Sequence, residues 1–254
     1  MPPKITSRRP TFVSHSSELQ TDYAVTVDAP DATIGPGPWP LVLFMDGDYA
    51  FDAAVRAYRS LREDNAVPPA VIAAIGYGHP FGSPENRRGR DYTPTAAPEE
   101  PGSGGADRFL AHLTGPLWDE LSARYPLRGD VRAIAGHSLG ALIALHALFQ
   151  PRPFFNRVLA GAPSIWWDNR SFLRLVSAHR DHTPELGARL FLGIGTLDTE
   201  SMTGDLRLFE QQLSARPYAG LDVVSRRFEG RDHYDVAPDL FREGLRVLLS
   251  PAGS

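Results

Sequence analysis

Apolar positions along this chain fall into two alternating rhythms. Residues 22–30 (DYAVTVDAP) change from polar to apolar at every second position, the period of a half-buried strand, and residues 11–16 give a weaker extended signal. Residues 39–48 (WPLVLFMDGD) form a continuous apolar run stopped at Asp46-Gly47. Further runs of strand length are AVIAAIGYG at 70–78, VRAIAGH at 131–137, RVLAGAPS at 157–164, RLFLGIGTLD at 189–198 and DVVSRRFEG at 222–230. Between them the spacing predicts helices over about 49–63, from 139 to about 149, and over 170–179, 205–215 and 238–249. Over 106–125, Phe109, Leu110, Leu113, Leu117, Trp118 and Leu121 recur at helical spacing, and Pro116 inside that pattern predicts a kink or break.

Strands alternating with helices, several apolar throughout, imply a mostly parallel sheet with helices on both faces. The leading period-two strands suit antiparallel edge positions. The expectation is one α/β domain over residues 1–254, with no internal repeat. Residues 78–105 stand apart: rich in Pro, Gly and charge, they exceed an ordinary connection and predict a functional or disordered loop.

Within this scheme residues 132–145 read RAIAGHSLGALIAL. Ser138 lies between Gly136 and Gly140, after a strand and before a helix, in a G-x-S-x-G pattern. A residue at such a turn projects above the carboxyl edge of the sheet, and the helix behind it aims free N–H groups at any developing anion. The plainer reading is a serine that caps a helix.

A serine hydroxyl is a weak nucleophile until a base takes its proton and an acid orients that base. In a strand-elbow-helix fold these follow in the order Ser, Asp or Glu, His. Four histidines follow Ser138. His146 lies on the helix behind the elbow, and His179 and His182 fall in a charged helix end that suits solvent. His233, in FEGRDHYDVAP between the last strand and last helix, falls at the required edge. Asp198 ends the strand LFLGIGTL at that edge. Glu200 is an alternative acid, and a Ser–His pair without a carboxylate remains another. Two N–H donors are needed for an oxyanion. Leu139, just after the serine, supplies one; Asp48, where Gly47 lets the backbone approach, is the expected second.

Composition narrows the classes. A chain of 254 residues can bury a full core, and a net charge of −4 gives no reason to expect nucleic acid or an anionic membrane as partner. With no cysteine, disulfides, thiolate metal sites and cysteine nucleophiles are excluded. There is no HExxH, so neither metal nor cofactor is expected. The start, MPPKITSRRP, lacks the apolar core of a signal peptide, and no run suits a membrane span, so the expected compartment is the cytoplasm.

The stretches LVLFMDGDYAF, VIAAIGYG, RGRDYTPT, GGADRFLAHL, AIAGHSLGALIALHALF, GAPSIWWDN and EGRDHY, in this order, resemble an esterase family of α/β hydrolases. That family includes ferric-enterobactin (catecholate siderophore) esterases, esterase-D-like enzymes and, more distantly, antigen 85 mycolyltransferases. RGRDYTPT and GAPSIWWDN are the more specific matches. The resemblance implies Ser138 as nucleophile, His233 as base and the DGD loop as oxyanion donor, and it leaves the acid open. It also draws attention to Arg87, Arg88, Arg90 and Arg231, since guanidinium groups suit a polyanionic iron-catecholate, and to Trp166 and Trp167 as an apolar wall. Against this stands an internal Arg90–Asp91 pair, solvated Arg87 and Arg88, and one Trp in the core. The expected activity is serine-esterase cleavage of an ester or lactone, with a siderophore trilactone as substrate. An acyltransferase or a non-catalytic scaffold of the same fold are the alternatives.

Overall fold

The computed structural model describes residues 10–31 and 33–250. Strands β1 (Phe12–Ser16) and β2 (Thr21–Asp28) form an antiparallel pair. β3 (Trp39–Phe44), α1 (Gly47–Glu63) and β4 (Val71–Gly76) follow. After the short α2 (Arg88–Asp91), the predicted helix at 106–125 is broken into α3 (Ala106–Thr114) and α4 (Pro116–Arg124), with Pro116 opening the second piece. Proline is tolerated there because a first-turn N–H has no intrahelical acceptor. Then come β5 (Leu127–His137), α5 (Leu139–Leu148), β6 (Arg157–Gly161), α6 (Trp167–His182), β7 (Glu185–Gly195), α7 (Glu200–Ala215), β8 (Ala219–Phe228) and α8 (Ala237–Leu249).

All the strands join one sheet in the order β1-β2-β4-β3-β5-β6-β7-β8. β2 runs antiparallel to both its neighbours, and every pairing from β4 to β8 is parallel. Parity along the central strands divides the core. Leu41, Leu43, Val71, Ala73, Ile134, Leu190 and Leu192 face a layer built from α3 to α7. Val42, Phe44, Ile72, Ala74, Ala133, Ala135 and Phe191 face α1 and α8. Burial on both faces explains why these strands are continuously apolar rather than alternating. α5, covered by α3 and by the sheet, is buried at nearly every position, including Ala141 to Leu145.

The 78–105 segment is bound to the body rather than loose. Tyr92 and Asp91 are fully buried, and Tyr23 and Tyr77 both donate to Asp91 Oδ2 at 2.8 and 2.9 Å. Burial, reinforced by that carboxylate, pushes the Tyr23 and Tyr77 hydroxyls far above their ordinary range. Among the described residues no helix is long and apolar enough to cross a membrane.

Candidate active site

Ser138 closes β5 and precedes α5 with φ 60° and ψ −122°. A non-glycine residue there is strained by about 1–3 kcal/mol, which the surrounding contacts must offset. The contacts are visible. A Cβ on Gly136 would stand 2.0 Å from the carbonyl oxygen of Gly140, so the strand and helix approach only because residue 136 has no side chain. The Ser138 N–H donates to Gly161 at 2.9 Å, and its carbonyl accepts from Ala141 and Leu142 as α5 starts. Leu139 therefore offers one of the free first-turn N–H groups of that helix.

Among the described residues the Ser138 hydroxyl has one hydrogen-bond partner, Ser164 Oγ at 3.3 Å. Ser164 is 1% exposed and its own N–H donates to the Ser138 carbonyl at 3.2 Å. Nothing in the sequence marks this serine except its position after the strand RVLAG, and sequence reasoning passed over it.

His233 and Asp198 come together from separate strands. Asp198 follows β7, His233 follows β8, and Nδ1 of the imidazole lies 2.8 Å from Asp198 Oδ2. The carboxylate is shut off from solvent, and its other oxygen accepts the Thr199 N–H at 2.7 Å. Glu200, the alternative acid, is exposed at the start of α7. Gly195 makes the approach possible, because a Cβ there would meet the Arg231 carbonyl oxygen at 2.1 Å. Asp232 is exposed and shapes the turn by accepting the N–H groups of Tyr234 and Asp235. With Asp198 accepting at Nδ1, the hydrogen belongs on that nitrogen and Nε2 keeps its lone pair. The His233 ring stands 4.6 Å from the ring of His137, the residue before Ser138, so the imidazole and the elbow share one corner of the molecule. Burial, reinforced by the neighbouring His233 and Arg88, pushes the His137 imidazole down to about 3 and keeps it neutral.

The other turn at this edge follows β3. Asp46 adopts the left-handed conformation at φ 56° and ψ 46° and leads into α1. Its N–H donates to the Tyr92 hydroxyl at 3.1 Å. The Asp48 carboxylate accepts from the N–H groups of Tyr77 and Gly78 at the end of β4, at 2.7 and 3.0 Å, and burial raises its pKa. Asp48 N–H belongs to the first turn of α1, as Leu139 N–H belongs to that of α5.

The residues singled out through the resemblance separate into two groups. Arg88 forms a two-pronged ion pair with Asp46, and Arg90 donates to Asp91, Leu19 and Thr21, so protein groups occupy both guanidiniums. Trp167 is buried, with its indole N–H donating to the Thr95 carbonyl at 2.9 Å. At these three positions the side chains are engaged by partners within the fold. Arg87 is exposed, Trp166 is 45% exposed, and Arg231 is exposed but paired with Asp239 at 2.8 Å. Just after the two tryptophans, Asp168, Asn169 and Arg170 all take left-handed dihedrals. Of the other histidines, His146 pairs with Asp107 at 2.7 Å. His179, expected in solvent, is half-buried against Tyr218 and Gln150 instead.

A parallel-centred sheet with a serine elbow after its fifth strand, and an acid and a histidine after the seventh and eighth, defines an α/β hydrolase. The chain belongs to the family described as "Putative esterase", whose model matches residues 16–235, and it is an ester hydrolase. It is 30% identical over 264 residues to the ferri-bacillibactin esterase BesA of Bacillus subtilis, covering 95% of this chain and 89% of that one. A siderophore triacetylfusarinine C esterase of Aspergillus fumigatus is 33% identical over 180 residues, covering 65% of this chain and 61% of the relative. The crystal structure of the BES protein from Bacillus cereus superposes with a TM-score of 0.84 at 25% identity, covering 97% of each chain.

Proposed function

We propose that this protein is a serine esterase that opens ester or lactone bonds of a siderophore through an acyl-enzyme. The observation that carries the reading is the 2.8 Å bond between His233 Nδ1 and Asp198 Oδ2, set beside the Ser138 elbow. In this reading Ser138 Oγ attacks the carbonyl carbon while its proton passes to His233 Nε2. The carbonyl oxygen becomes an anion held by the N–H groups of Leu139 and Asp48. Collapse expels the alcohol, which takes the proton from His233. Water then attacks the acyl-serine by the same route, with His233 again as base, and releases the acid.

Apo enzymes often hold the serine and base apart until substrate binds, which accommodates the Ser138 hydroxyl resting on Ser164. The siderophore assignment is supported by the names of the relatives and by exposed Arg87 and Trp166, a cation and an aromatic face suited to an anionic, ring-bearing ligand.

The test uses a p-nitrophenyl short-chain ester and a fluorophosphonate probe. Wild type hydrolyses the ester and takes the label on Ser138. Ser138→Ala retains its fold, loses the label and falls in kcat by about 10⁴-fold or more. A wild type inert to both reagents overturns the serine-esterase reading. For substrate class, kcat/KM for an iron-loaded trilactone is compared with that for simple esters, and the absence of a preference for the trilactone removes the siderophore assignment.

A further inference from the structure

Resting on the serine-esterase reading, we infer that Arg88 is a positioning residue. Its fork on Asp46 holds together the two turns that offer the oxyanion N–H groups, and it cancels a carboxylate charge that would otherwise oppose the oxyanion.

The geometry is specific. Arg88 Nε and Nη2 donate to Asp46 Oδ1 and Oδ2 at 2.9 and 2.8 Å, with the two side chains only 19% and 10% exposed. A planar fork on a carboxylate fixes direction as well as distance. The Phe81 ring lies 4.4 Å and the Tyr92 ring 5.6 Å from the guanidinium carbon, confining it. Tyr92 also takes the Asp46 N–H, so the residue is held at both backbone and side chain. The Asp46 carbonyl accepts from Tyr49 and Ala50, both at 2.9 Å, which sets where α1 begins and where Asp48 N–H points.

The same carboxylate reaches the second turn. A Cβ on Gly140 would stand 3.0 Å from Asp46 Oδ2, so Asp46 lies against the first turn of α5, beside Leu139. One ion pair therefore lies between both proposed donors. An unpaired anion there would raise the energy of a forming oxyanion, whereas an unpaired guanidinium would not. This asymmetry separates the inference from a general structural role and from a substrate contact.

The experiment measures steady-state hydrolysis of p-nitrophenyl acetate by the full chain, with melting temperatures alongside. The variants are Arg88→Met, Arg88→Lys, Asp46→Asn and the double variant Arg88→Met/Asp46→Asn. Arg88→Met lowers kcat by about tenfold to a hundredfold while KM stays within about twofold, as expected for a contribution realised in the transition state. Asp46→Asn, which tolerates the left-handed conformation, loses less. The double variant recovers part of the Arg88→Met loss, because the stranded charge is gone. Arg88→Lys falls between wild type and Arg88→Met, and it carries the comparison with Asp46→Asn if Arg88→Met does not fold. Affinity for a trifluoromethyl ketone, an oxyanion mimic, falls in step with kcat. A change confined to KM, losses that simply add in the double variant, or an Arg88→Met enzyme as active as wild type overturns the inference. A wild type neither active nor labelled at Ser138 instead overturns the reading on which it rests.

Discussion

Among the turns at the carboxyl edge of the sheet that put a non-glycine residue at positive φ, those at Ser138 and Asp46 are held in different ways. At Ser138 the strain is borne by main chain packed on main chain: Gly136 presses on Gly140, and Ser138 N–H bonds to Gly161. At Asp46 the dihedrals are ones that aspartate tolerates, and side chains fix the turn, Arg88 on the carboxylate and Tyr92 on the N–H. A backbone-held turn cannot give way without the fold giving way. A side-chain-held turn can lose its orientation while the sheet stays intact. His233 belongs to the second kind, since Asp198 orients it through one bond.

The largest effect should come where a side-chain bond orients the proposed base. Asp198→Asn is expected to lower kcat by about 10³- to 10⁴-fold, because an amide stabilises the wrong tautomer of His233. Its melting temperature should fall by only a few degrees. Glu200→Gln, assayed in parallel for kcat, should match wild type; the reverse ranking would assign the orienting acid to the exposed residue. Gly136→Ala probes the other side of the comparison. Its Cβ would collide with a backbone oxygen, so a loss of about 3 kcal/mol or more in denaturant unfolding is expected. An alanine variant as stable as wild type would mean that the elbow is not backbone-held.

The smallest effect concerns His137, where the elbow meets the ring of His233. Its imidazole titrates at the ordinary 6.5 in the unfolded chain but only at about 3 in the folded one. Between those values the unfolded chain binds the extra proton, so this contribution to stability is complete above about pH 6.5 and is lost on acidification towards 3. By pH 5 it amounts to about 2 kcal/mol at most. Comparing unfolding of wild type and His137→Phe from pH 7 to 5 isolates it, and parallel curves would contradict the burial of that ring.

The comparison also explains what was legible in the sequence. The sheet was readable because parity assigns Leu41 and Leu43 to one layer and Val42 and Phe44 to the other, giving runs with no polar face. The elbow was readable because Gly136 and Gly140, which let strand and helix approach, lie within two residues of Ser138. Asp198 and His233 could be proposed together because each lies in the turn after a strand whose direction is fixed. Arg88 was not readable as an internal partner, since Asp46 lies 42 positions away and an arginine-rich loop has the same composition whether it faces a ligand or its own fold. Trp166 and Trp167 were indistinguishable for a similar reason. Trp167 is buried and Trp166 exposed, a difference that two adjacent, chemically identical side chains do not announce. Ser164 was missed because a serine after a strand carries no signal until its neighbour in space is known.

The order of strands has a consequence for biosynthesis. From β5 to β8 each new strand is laid beside its predecessor, so this half of the sheet can grow in the order in which the ribosome delivers it. The proposed nucleophile emerges with β5, its acid after β7 and its base only after β8. In the proposed mechanism, a chain stopped before β8 carries the serine without its base. In that reading, hydrolytic competence arrives only once β8 and the turn after it have been made.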